Sequence, residues 1–144
     1  MRGAKPFLVV GIGASAGGLD ASRKFLDAMP VPNGVTFILI QHLEPNHDSM
    51  LVELLASHTG MTVKLASDEM ILEPDHLYVI PPGRSLAYNN GALRVTEPVE
   101  PHGARLPFDF LLQSLAIEFG TRAVGLVLQM AALEWLQSRR RADW

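Results

Sequence analysis

Apolar residues recur along this chain with two periods. Phe7 to Val10 (FLVV) and Val35 to Ile40 (VTFILI, apolar but for Thr36) read as runs of the kind found in strands buried on both faces. Between them, Leu19 to Met29 reads as a helix. Met50, Leu51, Leu54 and Leu55 make one face of a second helix over Ser49 to His58, with Asp48 placed to cap it and Gly60 just beyond its end. Thr62 to Ala66 and Leu77 to Ile80 predict two further strands, the latter ended by Pro81-Pro82-Gly83. Ser85 to Tyr88 and Ala92 to Val95 flank Asn89-Asn90-Gly91, a hairpin signal. Glu97 to Arg105 reads as a loop. Pro107 then opens a helix to about Glu118, Gly120 stops it, and residues 122–128 (RAVGLVL) form a last strand. This order predicts a doubly wound α/β fold: a mostly parallel sheet with helices on both faces and a β-hairpin addition.

The segment FLVVGIGASAGGL, Phe7 to Leu19, runs from a strand through small residues into a helix, with Ser15 at the bend. Gly11, Gly13, Gly17 and Gly18 read as a flexible turn that lets a ligand or another backbone approach closely. Ser15 is then expected near a helix N-terminus, where free backbone N–H groups bind an oxyanion or a phosphate. Two chemistries use such a turn. Gly11, Gly13 and Ala16 fit the loose dinucleotide pattern G-x-G-x-x-G/A. Gly13 to Gly17 fits G-x-S-x-G, the nucleophile elbow. A tight turn without chemistry is the third reading.

The second strand shifts the balance. Strands joined by a helix run parallel and end on the same edge of the sheet. Ser15 follows the first strand and His42 the second, so both are expected at the carboxyl edge, where open α/β sheets hold their sites. A serine becomes nucleophilic beside a neutral histidine. A dinucleotide would require an acid at the end of the second strand, and that end reads Gln41-His42, with Glu44 beyond. Ser–His hydrolysis is favoured, with no cofactor expected.

Ordered motifs then carry a family resemblance. GIGASAGG at 11–18, QHLEPNHDSMLVELLASHTGM at 41–61, HLYVIPPG at 76–83 and PFDFLLQSLA at 107–116 resemble the catalytic domain of CheB-type protein-glutamate methylesterases. The likeness is closest to the form in hybrid methylesterase–methyltransferase proteins and spans about residues 6–128. It implies a doubly wound domain with a Ser-His-Asp triad. It also implies hydrolysis of glutamyl methyl esters on bacterial chemoreceptors and deamidation of some receptor glutamines. The motifs carry the nucleophile onto Ser15 and the histidine onto His42. The triad order of Ser, His, then Asp suits this chain better than the Ser, acid, His order of α/β-hydrolases. The implied partners are the cytoplasmic regions of methylated chemoreceptors, together with methyltransferase or receiver domains of the same system. The implied location is the cytoplasm.

The resemblance breaks after residue 128. The family continues with a Gly-rich loop bearing the triad aspartate, whereas this chain reads QMAALEWLQSRRRADW. Glu134 stands in the aspartate's place if no gap is opened, but Met130 to Arg139 has the composition of a continuous helix. The expectation is therefore a single domain over 1–144, with 129–144 a divergent helical tail. The same expectation leaves the C-terminal part of the family domain missing, apolar surface near Val124 to Leu128 uncovered, and His42 without its usual acid. A binding-only remnant remains the main alternative, and a dinucleotide-binding domain the more distant one.

Composition narrows the rest. With 144 residues, 48% of them hydrophobic, the chain can bury one sizeable core. A net charge of −3 and the lack of a basic stripe argue against nucleic acid. Arg139-Arg140-Arg141 reads as a solvated helix end. There is no cysteine, hence no disulfide framework or thiol chemistry. No apolar run has the length of a membrane span, and Met1 to Lys5 is too short for a signal peptide. His47, His58, His76 and His102 lack metal-ligand spacing, so no metal is expected. His47 and Asp48 read as a helix start that could rim the site. Asp109 reads as a first-turn carboxylate rather than a replacement acid. Arg84 reads as structural rather than as an anion contact.

Overall fold

The computed structural model describes residues 7–14, 19–41, 48–81, 83–97 and 107–128. Five parallel strands form the sheet: β1 (Val9–Ala14), β2 (Thr36–Gln41), β3 (Thr62–Leu65), β4 (His76–Val79) and β7 (Ala123–Leu128), in the order β3-β4-β2-β1-β7. β5 (Ser85–Asn89) and β6 (Ala92–Thr96) pair antiparallel as a separate two-stranded sheet. Among the described residues the helices are α1 (Leu19–Ala28), α2 (Asp48–Ala56) and α3 (Pro107–Phe119), and a 3₁₀ turn over Gly120–Arg122 leads into β7.

Strand alternation sends side chains to two cores. On one face, Ile12 and Ala14 of β1, Phe37 and Leu39 of β2, and Leu77 and Val79 of β4 pack with Leu26 of α1 and with Leu51 and Leu55 of α2. On the other, Val9, Ile38 and Tyr78 pack with Leu111, Leu115 and Phe119 of α3 and with Leu86, Tyr88 and Leu93 of the hairpin. The central strands are buried on both sides, and this is why their sequences read as continuous apolar runs. The doubly wound class is as expected. The hairpin, however, lies over one face of the sheet and does not extend its edge. It is tied to α3 by the Tyr88 N–H, which donates to Ser114 Oγ at 2.9 Å. It is tied to the segment before β4 by paired backbone bonds, Glu69 N–H to Leu93 O at 2.7 Å and Leu93 N–H to Met70 O at 2.8 Å. Asn90 and Gly91, with φ of 52° and 83°, make its turn, the geometry that Asn-Gly supplies with little strain.

One expectation is corrected at β1. Residues 11–14 are strand and not turn, so Gly11 and Gly13 lie inside the sheet. Tertiary packing explains them. A Cβ at Gly11 would stand 3.0 Å from Leu112 Cδ2, and one at Gly125, its register partner on β7, 2.9 Å from Leu112 Cδ1. A Cβ at Gly13 would stand 2.8 Å from Phe108 Cγ. These glycines make a shallow trough that seats α3 close to the sheet.

Candidate active site

β1 and β2 are paired through six register positions, from Val9↔Thr36 to Ala14↔Gln41. Ser15 and His42 follow directly on that last pair in the chain and themselves lie outside the described residues, as do Gly17, Gly18, Glu44, His47, His102 and Glu134. The structure therefore brings together the two strand ends that lead into the predicted serine and histidine. Neighbouring strands lie about 4.8 Å apart, so the two strand ends lie side by side. Ala14 is also paired with Leu128, the last residue of β7, on its other side. Ala14 and Gln41 are 6% and 5% exposed, so both strand ends are buried.

The connections diverge around this point. β2 leads into α2 on one face of the sheet, and its neighbour β4 leads into the hairpin on the other. Open α/β sheets hold their sites at this carboxyl edge. Gln41 ends β2 there, and α3 brings its amino end to the same edge by setting Phe108 against Gly13. Sequence reading passed over both Gln41 and Phe108 as site-shaping residues. A buried polar residue ending an apolar strand was the available signal for Gln41. None existed for Phe108, because its contact spans most of the chain.

The remaining candidates have local roles. Arg84 forms an ion pair with Glu97. Asp109 is exposed in the first turn of α3. The His58 ring Nδ1 lies 2.8 Å from Asp27 Oδ1, joining α2's end to α1. His76 stacks on Tyr78, ring centroids 5.6 Å apart. Among the described residues no group of three or more His, Cys, Asp or Glu could hold a metal ion, and no helix is long and apolar enough to cross a membrane. Leu112 and Phe108 fill the trough at Gly11 and Gly13, so these two glycines lie in the strand under α3 and not in a phosphate-binding turn.

Perturbed groups among the described residues belong to the scaffold. The Asn33 and Gly34 N–H groups donate to Asp75 Oδ1 at 2.7 and 3.0 Å and hold its carboxyl below the usual range. Asp75 precedes β4 and so sits at the amino edge, opposite the site. Burial raises the Tyr78 hydroxyl above its ordinary value. Lys24, and after it Arg23, lower the exposed carboxyl of Asp20 on α1.

This geometry defines a doubly wound α/β domain whose candidate site lies at the carboxyl ends of β1 and β2. A family model described as CheB methylesterase matches residues 10–130, and the chain belongs to that family. Over 126 residues it is 35% identical to the protein-glutamate methylesterase/protein-glutamine glutaminase 1 of Xanthomonas campestris pv. campestris, covering 83% of this chain and 34% of that protein. It is 30% identical over 122 residues to the corresponding protein 2 of Methanospirillum hungatei JF-1, covering 83% of this chain and 35% of the relative. The chain thus spans about a third of the length of these curated relatives. The crystal structure of the Thermotoga maritima CheB methylesterase catalytic domain superposes with a TM-score of 0.73 at 23% identity, over 85% of this chain and 67% of that one. That likeness shows the fold.

Proposed function

We propose that this chain is a serine esterase that removes methyl esters from glutamyl side chains of bacterial chemoreceptors, with Ser15 as nucleophile and His42 as general base. The observation that carries this reading is the Ala14↔Gln41 register pair, which ends β1 and β2 together immediately before Ser15 and His42. Membership of the CheB methylesterase family supports it, as do relatives named for glutamate methylesterase and glutamine glutaminase action.

In this mechanism Ser15 Oγ attacks the ester carbonyl while His42 takes its proton. The C–O bond to the methoxy group breaks, and methanol leaves with the proton from His42. Water then attacks the glutamyl-enzyme ester, giving its proton to His42. The serine–acyl bond breaks, Ser15 regains its proton, and a free glutamate remains. Backbone N–H groups between β1 and α1 serve as oxyanion donors. On a glutamine side chain the same steps release ammonia. Residues 1–144 act as one domain, with 129–144 a divergent tail. The protein works in the cytoplasm on methylated receptor regions, alongside methyltransferase or receiver domains of the same system. Glu134 is the tail's candidate for orienting His42.

The test is methanol release from a methylated receptor by the whole chain, beside its Ser15→Ala and Glu134→Gln variants. The reading predicts release that Ser15→Ala abolishes. Release unaffected by Ser15→Ala, or none while the receptor is still bound, would replace it with the binding-module reading.

A further inference from the structure

We propose that Phe108 is a positioning residue for the Ser15 nucleophile, acting through Gly13. The inference rests on the esterase reading above. Gly13 lies two residues before Ser15, and its strand neighbours are Ile40 of β2 and Val127 of β7. Hydrogen-bonded ladders on both sides fix this end of β1 within the plane of the sheet. Movement perpendicular to the sheet is the remaining soft direction. From one face, Ile12 and Ala14 are held in the core beneath α1 and α2. From the other, the Phe108 ring closes on Gly13, where an added Cβ would stand 2.8, 2.9 and 3.0 Å from Cγ, Cδ2 and Cδ1.

The three tight glycine contacts under α3 are unequal. At Gly11 and Gly125 the nearest atoms are the terminal methyls of Leu112, which can swing aside. At Gly13 the nearest atoms are Cγ, Cδ2 and Cδ1 of an aromatic ring, a bulkier group that yields only by a change of its χ1 rotamer or a shift of the helix. Phe108 stands in the first turn of α3, and Leu111 and Leu115, fully buried, anchor that helix just beyond it. The stiffer contact is therefore the one nearest in the chain to Ser15. The role assigned to Phe108 is to set how far the end of β1 stands out from the sheet.

The test uses the whole chain with Gly13→Ala, Phe108→Leu, the double variant Gly13→Ala/Phe108→Ala, and Leu112→Ala as a control on the same helix. It reads kcat and KM on a methylated receptor, together with the backbone amide resonance of Ser15. Gly13→Ala is expected to lower kcat about 100-fold and Phe108→Leu about tenfold, with KM within about twofold, since a misplacement near 1 Å has effects of that size. Removing the ring in the double variant should restore at least about tenfold of the loss, while Leu112→Ala should keep kcat within about threefold. The Ser15 resonance should move in both single variants at positions 13 and 108 and return in the double one. The proposal is overturned if Gly13→Ala keeps its kcat, if the double variant is no better than the single, or if Leu112→Ala loses as much turnover as Phe108→Leu. Should Gly13→Ala not fold, Phe108→Leu against Leu112→Ala decides. Should the wild type show no turnover, the esterase reading fails and the Ser15 resonance decides alone: the expected pattern supports the positioning role, and an unmoved resonance overturns it.

Discussion

Ala14 and Gln41 stand opposite each other as the last register pair of β1 and β2, both buried. The strands end together there, so the two residues that follow begin from neighbouring points. Changing either Ser15 or His42 to Ala is expected to lower kcat by about 10⁴-fold or more, and the double variant little further, because a nucleophile and its base act as one unit. Steady-state methanol release from the three variants checks this. Losses that multiply would show that the two residues act independently.

A second prediction concerns Tyr78, which lies in the sheet with no exposed surface. Its hydroxyl donates to Ile71 O at 3.2 Å and accepts from the Glu73 N–H at 2.9 Å. Tyr78→Phe should cost about 1–3 kcal/mol by leaving these groups unpaired, read by urea unfolding. The raised ionisation of Tyr78 also has a signed consequence. The unfolded chain loses this proton first, so the stabilisation is complete below pH 10.0, the ordinary value, and is lost as pH rises through the folded-state value. Alkaline unfolding should begin above about pH 10 and have a shallower pH dependence in the Phe variant.

Asp75 gives the opposite sign. Its carboxylate accepts from the Asn33 and Gly34 N–H groups ahead of β2, and its ionisation is lowered. Its contribution to stability is present above the ordinary value of 3.8 and is lost as pH falls through the lower folded-state value. Asp75→Ala should lower the Tm at pH 7 and flatten its decline between about pH 4 and 2. Its φ of 61° adds a backbone penalty for Ala, which Asp75→Asn avoids. The Asn variant should keep more of the Tm at pH 7 while still losing the acid dependence.

β7 leads to a fourth prediction. Val124 and Val127 are 44% and 59% exposed, as the sequence led one to expect of that strand, and among the described residues β1 is its only strand partner. Val127→Lys should reduce concentration-dependent association and change the Tm by no more than about 2 °C, since a charged edge discourages strand pairing. Light scattering across a dilution series checks this.

Element order and fold class were legible because they rest on local signals: apolar runs for β1 and β2, Asn90-Gly91 for the hairpin, and Pro107 and Gly120 for the bounds of α3. The roles of Gly11 and Gly13 were not, because they are decided by Leu112 and Phe108, far along the chain. A glycine in sequence looks the same whether it frees a turn or makes room for a helix. The alternate spacing of Gly11 and Gly13, matching strand period, was the one local hint. The hairpin's seat on a face of the sheet was hidden for a similar reason, since turn chemistry fixes how two strands pair with each other and not what they rest upon. For Ser15 and His42, what was legible was the parallel run of the strands that precede them.

The pairing of Val9 with Ala123 also has a meaning in time. β1 leaves the ribosome more than a hundred residues ahead of β7, yet the two lie side by side. At typical synthesis rates β1 would wait on the order of ten seconds for that neighbour. Until then it can zip only to β2, and one flank of the strand that leads to Ser15 stays open. An arrested nascent chain stopped before Ala123 should therefore be readily cut by protease, and one long enough to expose β7 should become resistant.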